Sequence, residues 1–223
     1  MNRKSILILF ITFIFVSGLF GCSTSSPGPQ GPVGSQDVGD AIVIESKGSL
    51  VSEEYDFTDF QEIEINSLMT VEISQGESYE ISTEVEEDAV PHLRVSLDGK
   101  RLRIGLDPSQ AYNTNNATLQ AKITLPKLAH LIVDGISHVT LKDIQCTKVM
   151  DIDVKEISSL EGQINGCDLN LEVLNLSEVA LEGSAKNVTV IIADLSEVDL
   201  SLLEVQNLVS EVDDSSRLIS KDN

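Results

Sequence analysis

Leu176-Ser177-Glu178-Val179 and Leu195-Ser196-Glu197-Val198 are near-copies of one another. Upstream, Ile157-Ser158-Ser159-Leu160 and Ile136-Ser137-His138-Val139 keep the same apolar-Ser-x-apolar order, so serines recur almost evenly at Ser137, Ser158, Ser177 and Ser196. A second set of strands keeps pace with them: Met150-Asp151-Ile152-Asp153-Val154, Leu169-Asn170-Leu171-Glu172-Val173 and Val188-Thr189-Val190-Ile191-Ile192. Only the interval from Ser137 to Ser158 is longer than the rest, by two residues, and the surplus falls between Val139 and Met150. Alternation with period two marks strands buried on one face. A repeat of about 20 residues containing such strands marks coils stacked into a solenoid. Residues 134–223 are thus expected to form a right-handed parallel β-helix of about 19–21-residue coils with a C-terminal cap. The hand follows from the general preference of parallel crossovers. At the far end the pattern loosens, because Ser210-Glu211-Val212 follows Ser196 before a full period has passed. Either the last coil is short or Asp213-Asp214-Ser215-Ser216 begins the cap.

Before the repeats, residues 40–133 read as strands joined by tight turns. Ile63-Glu64-Ile65, Val71-Glu72-Ile73 and Tyr79-Glu80-Ile81 alternate apolar and polar residues. Leu93–Leu97 and Leu102–Leu106 do so around Asp98-Gly99-Lys100, and Asp-Gly between alternating runs is a strong hairpin signal. Residues 107–118, with their asparagines, are expected to be a mobile loop. The whole chain beyond residue 39 is long enough for one domain with a substantial core. Alternation alone leaves open whether its first part is a separate sandwich or the first coils of the solenoid.

The other end of the chain carries an address. Met1-Asn2-Arg3-Lys4 is a basic start, Ile6–Val16 an apolar run and Leu19-Phe20-Gly21-Cys22 a lipoprotein-type cleavage box. Residues 1–21 are accordingly expected to be a signal peptide, and Cys22 the lipidated first residue of the mature chain. The apolar run is too short for the roughly 20 residues of a spanning helix. Residues 22–39, rich in Ser, Gly and Pro, form a flexible linker. Together these predict a cell-envelope protein facing away from the cytoplasm, on an outer membrane or cell surface.

The net charge is −21, and losing Arg3 and Lys4 with the signal peptide deepens it to −23. So acidic a chain repels nucleic acid and anionic headgroups and suits cations or basic partners. In the stacked register, Ser137, Ser158, Ser177 and Ser196 fall in one inward column, where their hydroxyls must find hydrogen-bond partners. A nucleophilic role is unsupported, because no base stands in phase with them. The next column, facing outward, holds His138, Ser159, Glu178 and Glu197, with Asp199 alongside. Glu178, Glu197 and Asp199 therefore form either a solvated acidic face that discourages edge pairing or a weak Ca²⁺ site. Cys146 and Cys167 are separated by the same interval as Ser137 and Ser158. Stacked on adjacent coils, they would lie within disulfide range. The alternatives are a bridge or two buried free thiols.

The runs Phe60–Ile65, Val71–Gly76, Leu102–Ile104, Ile123-Thr124-Leu125-Pro126 and Leu131-Ile132-Val133-Asp134-Gly135, followed by the serine repeats, resemble the putative auto-transporter adhesin, head GIN domain family over roughly residues 55–212. The resemblance implies a secreted or lipid-anchored β-solenoid without a defined catalytic site. The chain departs from the family's pattern at Glu156, Asn175 and Asp194, which stand where glycine opens a coil.

Three functions are compatible with this sequence. The first is a non-catalytic surface interaction or adhesion scaffold with an unidentified surface protein or envelope partner. The second is an envelope-structural or stress-response component with no discrete ligand. The third, an enzyme acting on envelope polysaccharide, is poorly supported. There is no Trp anywhere and no aromatic residue beyond His130 to stack on sugars, and no cleft with paired carboxylates is marked. No catalytic residue and no obligatory cofactor is expected.

Overall fold

In the computed structural model, which describes residues 41–146 and 148–221, the chain is all-β apart from one 3-10 helix, Glu87–His92. The signal peptide, Cys22 and the linker lie outside the described residues. The strands are β1 (Ile42–Glu45), β2 (Leu50–Glu54), β3 (Glu62–Asn66), β4 (Thr70–Gln75), β5 (Glu80–Glu86), β6 (Leu93–Asp98), β7 (Arg101–Leu106) and β8 (Tyr112–Asn115). They continue with β9 (Leu119–Leu125), β10 (His130–Val133), β11 (His138–Gln145), β12 (Val149–Val154), β13 (Ser159–Val173), β14 (Glu178–Ile192), β15 (Glu197–Val212) and β16 (Arg217–Ser220).

All but β1 and β8 belong to one curled sheet, so residues 41–133 and the repeats share a single hydrogen-bonded framework. The strands stack in two columns. One runs β6-β7-β3-β10-β12 and continues through the second halves of β13, β14 and β15. The other runs β2-β5-β9-β4-β11, then the first halves of β13, β14 and β15, and ends on β16. From β7 in one column and β9 in the other, every further pairing is parallel, whereas β2, β5 and β6 pair antiparallel. In the repeats the rungs follow chain order. In the first part they do not: the β3–β4 pair is inserted between the β7/β9 rung and the β10/β11 rung. The stretch expected to be a mobile loop holds β8, which pairs in parallel with β1 from Ile42↔Tyr112 to Glu45↔Asn115.

The period-two pattern puts alternate residues inside. Ile63 and Ile65, Leu131 and Val133, Ile152 and Val154, Leu171 and Val173, and Val190 and Ile192 stack rung on rung, all fully buried or nearly so. Val71, Val139, Leu160, Val179 and Val198 do the same in the other column. Each such side chain contributes roughly 1.5–3 kcal/mol of transfer free energy, and because these residues share one axis the core is a continuous aliphatic rod. Aromatic packing is confined to the first part, where Phe60 is fully buried against Tyr79 with ring centroids 4.9 Å apart.

Two kinds of corner connect the columns. One uses two successive residues of left-handed backbone: Ser67-Leu68, Gly135-Ile136, Glu156-Ile157, Asn175-Leu176 and Asp194-Leu195, with φ between 55° and 68°. Glu156, Asn175 and Asp194 thus adopt the conformation that glycine would supply at lower cost. Stacking holds them there. The amides of Leu68, Ile136, Ile157 and Leu176 each donate to the carbonyl of the first corner residue one coil on, all at 2.9 Å. The other corner is a bend inside the long strands. There Gly162 and Gly183, with φ of 153° and 107°, have no room for a Cβ against the Leu141 and Ile164 backbone of the coil below.

Candidate functional site

The inward serines are buried to within 2%, and each is tied to the coil that follows it. The amide of Ser137 donates to the hydroxyl of Ser158 (3.2 Å), that of Ser158 to Ser177 (3.3 Å) and that of Ser177 to Ser196 (3.2 Å). The hydroxyls of Ser158, Ser177 and Ser196 thus accept from the backbone N–H of the preceding coil. The hydroxyl of Ser137 also accepts from the Met69 amide at 3.4 Å and donates to the Asp134 carbonyl at 2.7 Å. Ser216 completes the row by accepting from the Ser196 amide at 3.2 Å. Ser210, the apparent fifth copy, pairs with Val190 in the other column. Asp213–Ser216 is the last corner, and the full period from Ser196 to Ser216 was the signal that could have revealed it. No buried side-chain nitrogen or oxygen among the described residues lacks a partner. None of the four serines has a histidine beside its hydroxyl to act as a base: His130 is paired with Asp153 at 2.8 Å and His138 faces outward, with Nδ1 2.7 Å from the Ser159 hydroxyl.

Cys146 and Cys167 lie on adjacent coils with Cα atoms 4.8 Å apart and their sulfurs joined in a disulfide. The bridge follows the β11–β13 register slip between Leu141 and Ile144, and its Cys167 also lies at the slip between β13 and β14. A covalent link there holds two coils whose backbone ladder is interrupted.

The outward face of the same column carries the acids. His138, Ser159, Glu178 and Glu197 lie directly above one another, as do Thr140, Glu161, Ala180 and Asp199. They are engaged separately. Asp199 accepts the Ser201 amide at 2.8 Å, and the Ser201 hydroxyl and amide hold its carboxyl below the usual carboxylate range. Glu197 is 3.7 Å from Arg217, and Glu161 is 3.8 Å from His138. Among the described residues no three His, Cys, Asp or Glu side chains come together as a metal-binding set. The register puts Glu178, Glu197 and Asp199 on one face, with Glu178 and Glu197 directly above one another.

Beside this row a groove of about 460 Å³ follows the glycine bend. It is lined by Leu141, Gly162, Ala180 and Leu202, by the acids Asp143, Glu161, Glu182 and Asp199, and by Lys142, which is paired with Glu72. The sequence marked the carboxylates. It did not mark the groove, which arises because Gly162 and the Ala180/Glu182 register shift pull the sheet inward beneath them.

The fold has solved relatives. A putative adhesin from Parabacteroides distasonis superposes with a TM-score of 0.53 at 14% identity, covering 76% of this chain and 81% of its own. A putative adhesin from Parabacteroides merdae gives 0.41 at 13% identity over 81% and 99%. A putative lipid binding protein from P. distasonis gives 0.45 at 14% over 80% and 96%. At 14% identity the first of these likenesses concerns the fold alone. No curated protein matches the chain. The family described as putative auto-transporter adhesin, head GIN domain, matches residues 59–218, and neither it nor these relatives is named as an enzyme. The chain belongs to that head GIN domain family.

Proposed function

We propose that this protein is a cell-envelope lipoprotein, lipidated on Cys22, whose β-domain is a non-catalytic scaffold for surface interaction or adhesion. The groove, lined by apolar side chains and four carboxylates, carries this reading. Its chemistry fits a basic protein segment: the carboxylates attract lysine and arginine, while Ala180 and Leu202 accept their aliphatic stems. The parallel registers and the corner spacing support a right-handed parallel β-helix as the scaffold, in which binding area grows coil by coil. The family's adhesin description supports a surface location. The serines support no catalytic role, since their hydroxyls are buried and bonded to the backbone.

The test uses the chain from Ser23 onward with an oligolysine peptide as probe. Saturable binding, at least tenfold weaker when Glu161, Glu182 and Asp199 become Gln, Gln and Asn, supports the groove. Binding that is absent, or unchanged by the substitutions, rejects it. For the anchor, loss of radiolabelled palmitate incorporation in Cys22→Ser is expected, and persistent labelling would refute lipidation at that residue.

A further inference from the structure

The corners built on two residues of left-handed backbone carry a row of aliphatic side chains. Their first residue varies, from Ser67 through Gly135, Glu156 and Asn175 to Asp194, whereas the second is always Leu or Ile: Leu68, Ile136, Ile157, Leu176 and Leu195. Leu68 packs against the core, but the other four are 54% to 64% exposed. Left-handed backbone disfavours such side chains, above all those branched at Cβ, and asparagine or glycine would occupy it with less strain. An exposed isoleucine there gains little burial in return, so folding stability gives no reason for four in succession. The corner amides bond coil to coil, which sets Ile136, Ile157, Leu176 and Leu195 in single file about 4.8 Å apart. The file stops at the last corner, where the Leu195 amide donates to the hydroxyl of Ser215.

Charge and spacing identify what fits this ridge. Glu156 and Asp194 stand just before Ile157 and Leu195, Glu178 and Glu197 come two residues after Leu176 and Leu195, and Asp213 and Asp214 lie beyond the end of the file. The nearby cations are drawn to acids, Lys155 to Glu172 at 2.9 Å and Arg217 to Glu197 at 3.7 Å. An apolar file between acidic rows matches apolar side chains flanked by lysine or arginine. Opposing it with the same ridge of a second copy would set like charges together, and an anionic bilayer would be repelled. A helix returns to the same face once per turn, about 5.4 Å, so three turns span about 16 Å against about 14 Å for three rungs. A strand laid along the ridge returns to one face only after about 6.8 Å and falls out of step within one rung. A single file of side chains also seats well in the groove between two rows on a helix.

We propose that the ridge of Ile136, Ile157, Leu176 and Leu195 docks an amphipathic α-helix of a partner protein. The helix lies along the stacking axis, with two apolar rows astride the ridge and lysine or arginine on either side over the acids. The described residues of this chain hold no α-helix of their own. The ridge shares no residue with the acidic groove, so its failure would leave the groove reading intact.

Every buried core residue lies between Ile44 and Leu203, so the chain from Ser23 onward retains the whole core and suits the test. The probe is a labelled peptide of about three heptads with leucine at a and d, lysine at e and g, and glutamine elsewhere; repulsion at e and g opposes its pairing with itself. Fluorescence anisotropy should show saturable binding below about 0.1 mM, with helicity gained in circular dichroism. Ile157→Asn combined with Leu176→Asn, which left-handed backbone accepts, should weaken binding at least about tenfold. Glu161→Gln, Glu182→Gln and Asp199→Asn in the groove should change it less than about twofold. Should the ridge variant lower the melting temperature, Leu195→Asn, at the most exposed of the four positions, takes its place. Absent binding overturns the proposal, as does unchanged affinity in the ridge variant. Equal affinity for a scrambled peptide of the same composition, or for one with glutamate at e and g, overturns it too. Ridge-dependent sedimentation with neutral phosphatidylcholine vesicles would overturn it in favour of a bilayer, and ridge-dependent self-association of the chain alone in favour of a second copy.

Discussion

The two parts of the sheet solve the same packing problem differently. From Ile136 to Val212 each coil lies on the one before it in sequence, so every partner is a single repeat away. Before that, β3 and β4 reach much further along the chain: Ile63 pairs with Leu102 and Leu131, and Val71 with Ala121 and Val139. Three antiparallel strands close the starting end. The repeats are held by identical local bonds copied coil after coil. The first part is held by long-range pairing around unique residues such as Phe60. A contact made within one period costs little loop entropy, whereas the insertion of β3–β4 must await β7, β9, β10 and β11. The repeats should therefore order early and tolerate local damage, and the first part should respond as a unit.

Four experiments sharpen or break that contrast, and the largest effect is expected at the disulfide. Reducing Cys146–Cys167, a link across 21 residues, is expected to lower stability by about 2–4 kcal/mol. Hydrogen exchange should quicken around β11–β13 while β5–β9 remains protected. Uniform loss of protection would mean that the two parts unfold together. Next comes Ser177→Ala, which leaves the buried amide of Ser158 without its acceptor and should cost about 1–3 kcal/mol in denaturant unfolding. An effect near zero would show that the serine row is incidental to the stack.

The third effect has the opposite sign. Ile157 is 58% exposed and sits at a φ of 63°, a position a β-branched residue occupies only under strain. Ile157→Gly should raise stability by up to about 1 kcal/mol, measured as a shift in denaturant midpoint. A destabilisation would reveal packing that the exposed side chain does not display. The smallest effect concerns the last corner. The Ser216 hydroxyl, the Asp194 amide and Ser215 hold the Asp213 carboxyl down at about 2, below its ordinary 3.8. A depressed folded-state pKa contributes stability that is complete above the unfolded value and is lost as pH falls toward the folded one. Melting temperature should therefore drop between about pH 4 and pH 2. In Asp213→Asn that part of the drop should vanish, and an unaltered pH profile would remove the corner carboxylate from the account.

How much of this was legible in the sequence follows the same divide. The repeats announced their strands, inward serines and register, because one coil predicts the next. In the first part the strands could be read from Ile63-Glu64-Ile65 or Leu102-Arg103-Ile104. Their order could not, since alternation states which face a residue occupies and says nothing of its neighbour. Tyr112–Asn115 reads as a polar loop because its pairing partner, Ile42–Glu45, lies far away in the chain. Glu156, Asn175 and Asp194 looked like breaks in a glycine pattern, yet the carbonyls of Asn175 and Asp194, like that of Glu156, accept a bond from the adjacent coil, which compensates for the conformation. At the acidic face the sequence supplied the carboxylates but neither the groove beneath them nor their separate engagement with Ser201 and Arg217.

Parallel stacking also has a mechanical consequence. Force on the N-terminal side of the chain meets β1 and β2 first, each held by the hydrogen bonds of one neighbouring strand. Loaded this way a sheet opens like a zipper, rung by rung, each rung yielding a few nanometres of chain at modest force. The sequence-scrambled first part interrupts that zipper, because freeing β3 and β4 means separating them from rungs on both sides. Beyond it, the Cys146–Cys167 bridge is a covalent stop. A protein built in this order and pulled from its N-terminal side would give a little at first, then stiffen, and keep its repeats intact under load.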